Sequence, residues 1–309
     1  MPTMIPVLKL QFTDQRPSPL QWDIITGILS EVEGFQSSYD LSVSPAEANE
    51  TPREAIVTFS GDFQETWFSI AKRLPSDLAN LFDGLAVRAE ITEIAEENWV
   101  ESWKRFYQVT RVGERLYFGP PWEGKLPADA PADARLVIIE PGQAFGTGSH
   151  ETTRLCLQVL ERNVIPGGTL LDVGTGSGIL AFAALHLGES HAIGVEYDPV
   201  CEENFELNAR HNGAYSNACF ILDADPEAGM QEAISRGFPY PDHVVCNTLN
   251  EQFLPLLPAL RRIQRPLILS GFLESEIEAV RSAVQQHGFR VLGEFAMDQW
   301  RAFSCEPVG

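Results

Sequence analysis

Hydrophobic and polar positions along the chain follow two patterns, one before about residue 95 and one after residue 169. From Thr169, short apolar runs alternate with stretches of helical period. The runs Thr169–Val173, His191–Tyr197, Ala218–Leu222, His243–Asn247 and Leu267–Ser270 read as buried strands. Between them Ile179–Leu187, Pro199–Asn212, Pro226–Ser235 and Gln252–Gln264 read as helices. A helix over Glu274–His287 and two closely spaced strands, Phe289–Ala296 and Gln299–Cys305, complete the set. Strands that alternate with helices require a parallel sheet with right-handed crossovers. The short link between the last two strands suggests an antiparallel hairpin.

The first 95 residues carry a different order. Ile5–Phe12 alternates as a strand does, and Leu20, Ile24, Ile28, Leu29 and Val32 recur at helical spacing before Gly34. Strands are expected around Gln36–Ser42, Glu54–Phe59 and Val87–Ile94. Helices are expected over Gln64–Leu74 and, after Pro75, over Ser76–Leu81. Strand-helix-strand-strand-helix-strand is the order of a small α+β, ferredoxin-like domain. Residues 96–112 are polar but hold Trp99, Trp103 and Phe106 on one helical face, as a helix joining two domains would. The expected organisation is therefore 1–95, a recognition domain; 96–112, an aromatic connector helix; and 113–309, the domain that carries the chemistry. Pro127–Asp133 reads as a surface loop.

The chemistry concentrates in two glycine-rich stretches. In the first, an apolar strand ends at Asp172, glycines stand at 174, 176 and 178, and the alanine-rich helix begins at Ile179. Such a turn lets the backbone pass close to a ligand and aims unpaired N–H groups at it. A dinucleotide fingerprint reads G-x-G-x-x-G. Here the spacing is G-x-G-x-G after an acid, which resembles the first motif of class I S-adenosylmethionine-dependent methyltransferases. That spacing disfavours a nicotinamide dehydrogenase. The second stretch, Pro141-Gly142-Gln143-Ala144-Phe145-Gly146-Thr147-Gly148-Ser149-His150, leads into an amphipathic helix over Thr152–Leu160.

Composition narrows the partners. The net charge is −21 and only four lysines occur, so a phosphate backbone is a poor direct substrate and a basic protein a better one. Five cysteines form no C-x-x-C pair, and the six histidines show no zinc-ligand spacing, so reduced thiols and no metal are expected. His186 and His191 flank a helix-to-strand turn and read as structural. No basic, apolar leader and no membrane-length apolar run is present, which points to a cytoplasmic protein without a membrane partner. A monomer is the expected state.

Taken together, these residues resemble the ribosomal protein L11 lysine methyltransferases. The marker is Phe145-Gly146-Thr147-Gly148-Ser149-His150-Glu151-Thr152-Thr153. The tryptophan-rich connector, Gly113-Glu114-Arg115-Leu116, the Asp172–Leu180 stretch, Val195-Glu196-Tyr197-Asp198-Pro199 and Leu269-Ser270-Gly271 support it. The resemblance implies a seven-stranded, Rossmann-like α/β methyltransferase domain. It also implies S-adenosylmethionine as cofactor and lysine or other amino groups of ribosomal protein L11 as substrate.

Carried over residue by residue, Thr153, Gly174, Gly176 and Gly178 should lie by the amino-acid end of the cofactor. Glu196 should hold the ribose hydroxyls, Asp223 the adenine amine, and Asn247 the cofactor amine or the incoming nucleophile. Phe145, Trp103 and Leu249 should form an apolar pocket for the lysine, with His150 a candidate proton relay. Two positions depart from the family pattern. Glu196 stands where aspartate is common, and Asn247-Thr248-Leu249-Asn250 replaces Asn-Ile-Leu-Ala and adds polar groups at the lysine entrance. Two alternatives stay open: methylation of another protein or a small molecule, and a non-catalytic S-adenosylmethionine-binding module.

Overall fold

Leu8, Leu10, Val57 and Phe59 alternate inward along two neighbouring strands and meet Trp67, Leu74 and Leu78 from one helix. The computed structural model describes residues 4–13, 17–30, 32–33, 35–40, 54–59, 61–82, 85–95, 108–140, 150–214 and 216–308. The chain divides into two units, Met1–Gln108 and Val109–Gly309.

In the first unit β1 (Met4–Phe12), α1 (Pro19–Ser30), β2 (Phe35–Asp40), β3 (Glu54–Phe59), α2 (Gln64–Leu81) and β4 (Val87–Ala95) follow in order. The strands pair antiparallel in the order β2-β3-β1-β4, the split arrangement of a ferredoxin-like sheet. Phe59 stacks on Trp67 at 5.0 Å between ring centroids, and the indole N–H donates to the Glu33 carbonyl at 3.2 Å. The break expected at Pro75 is absent. α2 runs through it, because Ala71, Leu74 and Leu78 are buried along one face on both sides of the proline. Core packing outweighs the missing N–H there.

The second unit opens with a three-stranded sheet, β5 (Thr110–Arg111), β6 (Leu116–Gly119) and β7 (Arg135–Ile138). The expected connector helix over 96–112 lies outside the described residues as far as 107, and Thr110–Arg111 pair as strand rather than helix. Then come α3 (Glu151–Asn163), β8 (Thr169–Val173), α4 (Ile179–Leu187), β9 (His191–Glu196), α5 (Val200–His211), β10 (Ala218–Leu222), α6 (Pro226–Ser235) and β11 (His243–Asn247). After these follow α7 (Asn250–Phe253), α8 (Leu257–Ile263), β12 (Leu267–Leu273), α9 (Ile277–Gln286), β13 (Phe289–Met297) and β14 (Trp300–Pro307).

The seven-stranded sheet has the order β10-β9-β8-β11-β12-β14-β13, with β14 antiparallel to both neighbours. The central strands are buried on both faces, so their runs are apolar rather than alternating. Leu170, Val245 and Ile268 face the layer of α3, α4 and α5, while Leu171, Val244 and Leu269 face the layer of α6, α8 and α9. The single helix expected over Gln252–Gln264 is broken instead into α7, a 3-10 turn and α8. Pro255 and Pro258 each remove a helical N–H donor there. β12 runs three residues beyond its expected end, with an irregularity at Gly271. No helix among the described residues is long and apolar enough to cross a membrane.

Candidate active site

β8 lies between β9 and β11, so the chain leaves its carboxyl end at the point where the strand order reverses. Crevices at such switch points bind ligands. The turn after β8 passes Gly174, Gly176 and Gly178 at φ of 70°, 51° and 81°. Gly174 abuts the side chain of Thr248 just beyond β11, and a Cβ at 174 would collide with it. The turn reaches the end of β11 only because no side chain intervenes. Gly178 serves a different purpose. It caps α4 with its backbone left-handed, and a Cβ there would strike the Phe182 ring and come within 2.7 Å of Phe205.

Gly174 and Gly176 line a cavity of about 390 Å³ together with Glu196, Asn247, Leu249 and Trp300. Gly178 does not line it; its neighbours are core rings. Glu196 closes β9 and is 7% exposed. Its Oε2 accepts from the Gly176 N–H at 3.1 Å, and its Oε1 accepts from the Tyr197 and Asp198 N–H groups at 3.0 and 3.2 Å. The carboxylate thus sits on the glycine turn itself, held by three main-chain donors.

Asn247 closes β11, and its Nδ2 donates to Thr153 Oγ1 at 3.4 Å. Thr153 is fully buried in the first turn of α3 and does not line the cavity, whereas Thr152 does. His150 is the N-cap of α3, and its Nδ1 accepts from the Thr152 N–H at 3.3 Å. Nδ1 also lies 2.8 Å from the Thr152 hydroxyl, so both contacts tie the ring to the first turn of α3. The His150 ring meets Trp300 edge-on at 5.1 Å. Leu249 is 56% exposed at the rim. Asp223 lines a smaller adjoining cavity of about 180 Å³ with Gly174, Tyr197 and Thr248, and its Oδ1 accepts from the Asp225 N–H at 2.8 Å. Phe145 and Trp103 lie outside the described residues.

Reasoning from the sequence missed Trp300. It stands at the start of the last strand with no motif around it, and only the pairing of β14 with β12 brings it to the cavity. Asn250, one of the polar additions expected at the lysine entrance, does not line the cavity. It donates to Glu276 instead.

The family model described as "Ribosomal protein L11 methyltransferase (PrmA)" matches residues 36–307. The chain belongs to the ribosomal protein L11 methyltransferase family. Among its curated relatives, the ribosomal protein L11 methyltransferase of Symbiobacterium thermophilum is 31% identical over 275 residues, which cover 88% of this chain and 86% of that one. The one from Dechloromonas aromatica is 42% identical over 194 residues, covering 62% of this chain and 60% of that one. Among solved structures, a ribosomal protein L11 methylase from Lactobacillus delbrueckii subsp. bulgaricus superposes with a TM-score of 0.56 at 27% identity. It covers 66% of this chain and all of that one. The chain is accordingly a class I, Rossmann-like protein methyltransferase.

The electrostatics of this family member's site are one-sided. Glu196 and Asp198 line the larger cavity, and no lysine or arginine does so among the described residues. Beneath the turn, Asp172 is 1% exposed. Burial pushes its carboxyl up from 3.8 to about 7, against the opposing hydrogen bond from the Thr175 hydroxyl at 2.8 Å. The Ala181 N–H at the start of α4 also faces the carboxyl and opposes the shift. The thiols of Cys246 and Cys305 are pushed up to about 12 by burial, which makes them inert core groups. No group of three histidine, cysteine or acidic side chains among the described residues is placed to hold a metal ion.

Proposed function

We propose that the chain transfers methyl groups from S-adenosylmethionine to lysine and other amino groups of ribosomal protein L11. The charge of the cavity carries this reading. A dinucleotide would present a pyrophosphate to the glycine turn, but Glu196 already occupies the Gly176 N–H and leaves a carboxylate facing the cavity. An anionic lining repels phosphate and favours a ligand that carries a sulfonium and an ammonium. The volume of about 390 Å³ falls within the range of small-molecule sites, roughly 300–1,000 Å³.

In this reading Glu196 accepts from the ribose hydroxyls with the lone pairs its three amide donors leave, and Asp223 meets the adenine amine from the adjoining cavity. Gly174 and Gly176 line the amino-acid end. Thr153 acts through its contact with Asn247, and Gly178 by seating α4. When bound, S-adenosylmethionine supplies a methyl group already activated on sulfur.

The remaining task falls to the chain: to present a neutral amine in line and keep water away. A free lysine titrates at about 10.4, so an apolar wall that disfavours the ammonium assists. Trp300 and Leu249 supply that wall. Asn247 orients the amine through its carbonyl oxygen. The proton leaves to water, since Nδ1 of His150 is engaged by Thr152 at the start of α3. Protein recognition is assigned to the first unit, and the site of action to the cytoplasm. Of the two polar additions in the Asn247–Asn250 segment, Thr248 lines the cavity and Asn250 turns to Glu276.

The test is intact mass spectrometry of purified ribosomal protein L11 after incubation with the chain and S-adenosylmethionine. A ladder of added methyl groups is expected. Calorimetric binding of S-adenosylmethionine without any mass shift would move the substrate elsewhere, and absence of binding would overturn the cofactor.

A further inference from the structure

Trp300 enters the cavity wall from the end of a tight hairpin. β13 and β14 are joined by two residues, Asp298 and Gln299, between the paired Met297 and Trp300. Asp298 is left-handed at φ 49°, a conformation that a residue with a side chain adopts at a cost. Arg301, the residue after Trp300, holds this turn. Its Nη1 donates to the Asp298 carbonyl at 2.8 Å and to the Trp300 carbonyl at 2.9 Å. Its Nη2 pairs with Glu274 Oε2 at 2.9 Å, and the Glu274 N–H donates to the Gln299 carbonyl at 2.8 Å. The carbonyls of Asp298, Gln299 and Trp300 are thus each met by a donor from Arg301 or from its partner. The Arg301 carbonyl is fixed as well, accepting from the Ser270 hydroxyl of β12 at 3.0 Å.

Arg301 is 8% exposed, and the residues that follow it, Ala302 and Phe303, are fully buried. A guanidinium in such a place is costly to desolvate unless its N–H groups are met. Two main-chain carbonyls and one carboxylate meet them here, and two of those three acceptors belong to the turn or to Trp300 itself. Arg301 does not line the cavity. Successive side chains of a strand point to opposite faces, and Trp300 is the one on the cavity side. We propose that Arg301 is a positioning residue that fixes the hairpin turn and, through it, the place of the Trp300 ring in the cavity wall. With the turn fixed, the ring stands edge-on to His150 at 5.1 Å. The planar fork of arginine suits this task, because one nitrogen spans two carbonyls while the other keeps Glu274. A lysine ammonium is a single point of charge and cannot hold that geometry.

The inference rests on the reading above, in which Trp300 walls the site of the acceptor amine. Its test uses the full chain with isotopically labelled tryptophan, whose six indole N–H signals are read by magnetic resonance without cofactor or substrate. The signal lost in Trp300→Ala identifies that ring. Arg301→Ala is expected to move it and to leave the signal of Trp67, in the first unit, in place. With ribosomal protein L11 as acceptor, Arg301→Ala should lower kcat/KM about fivefold while the cofactor Kd in calorimetry changes little. Added to Trp300→Ala, it should cost less than about twofold more, because the ring through which it acts is already gone. Arg301→Lys keeps the charge and should fall between the wild type and the alanine variant. Glu274→Ala removes a partner that is largely exposed, and should move the Trp300 signal in the same direction by less. These two variants decide the matter where Arg301→Ala fails to fold. An unmoved Trp300 signal in the folded variants overturns the inference. So does a loss in kcat/KM that multiplies in full with that of Trp300→Ala, which would make Arg301 a support of the fold at large. A wild-type chain that binds S-adenosylmethionine but leaves ribosomal protein L11 unmethylated overturns the substrate reading instead, and the indole signal then decides on Arg301 independently.

Discussion

Replacing Asp172 by asparagine should remove a loss of stability that the wild type suffers as pH rises towards neutral. The carboxyl is 1% exposed, accepts from the Thr175 hydroxyl and faces the Ala181 N–H at the start of α4, and burial outweighs both. Burial raises its pKa from 3.8 to about 7. The folded state therefore binds this proton more tightly than the unfolded state does. The sign follows directly: whatever stability the protonated carboxyl contributes is complete below pH 3.8 and is lost as pH rises towards about 7.

Across that window the loss is about 1.4 kcal/mol per pH unit, or about 4 kcal/mol in all. Asparagine has nearly the same shape, still accepts from Thr175, and does not titrate; the cost of its buried Nδ2 is the same at every pH and drops out of the slope. His186, whose pKa burial lowers, works in the opposite direction as pH falls below 6.5. It is present in both proteins and cancels in their difference. Urea unfolding of both proteins without cofactor, at closely spaced pH values, measures the effect. Between about pH 4.5 and 6.5 the wild type should lose about 3 kcal/mol relative to Asp172→Asn, roughly 5–10 °C in Tm. Parallel stability curves for the two proteins would refute the reasoning, because they would mean that Asp172 ionises as easily in the fold as outside it.

Other changes separate the parts of the site. Glu196→Gln exchanges a carboxylate held by three main-chain N–H groups for a neutral amide with one acceptor; cofactor affinity in calorimetry should fall at least about tenfold. Trp300→Ala strips the cavity wall and the edge contact to His150, so kcat/KM for the protein acceptor should fall about fivefold to tenfold while cofactor Kd moves little. At the far end of the sheet, His243 and Glu189 form a buried pair at 2.6 Å. His243→Ala leaves the carboxylate with only the Ile165 N–H at 3.5 Å, and denaturant unfolding should show a loss of about 3 kcal/mol or more. The surviving folded protein should still bind cofactor normally; a weakened Kd would mean that the pair reaches the cavity after all.

Much of this arrangement is legible along the chain because local burial dictates local pattern. The runs at Thr169–Val173 and His243–Asn247 have apolar interiors because both sheet faces are covered there, and their bounds, like those of Ala218–Leu222, are those observed. The glycine turn is legible because its backbone excludes side chains, and Glu196 because it ends the next strand. The prolines show the limits of such reading. Pro75 does not stop α2, where packing on both sides holds the helix together, whereas Pro255 and Pro258 split a helix whose apolar spacing looked continuous.

Other features are set by the tertiary structure alone. Trp300 meets His150, Asn250 turns to Glu276, and Asn208 joins Glu140 to Ser177. Each pairing spans residues far apart in the chain. Hydrophobic periodicity specifies which face of an element is buried. It does not specify which distant polar group that face will meet, because that depends on strand order and register. Those are settled only when the whole sheet is packed.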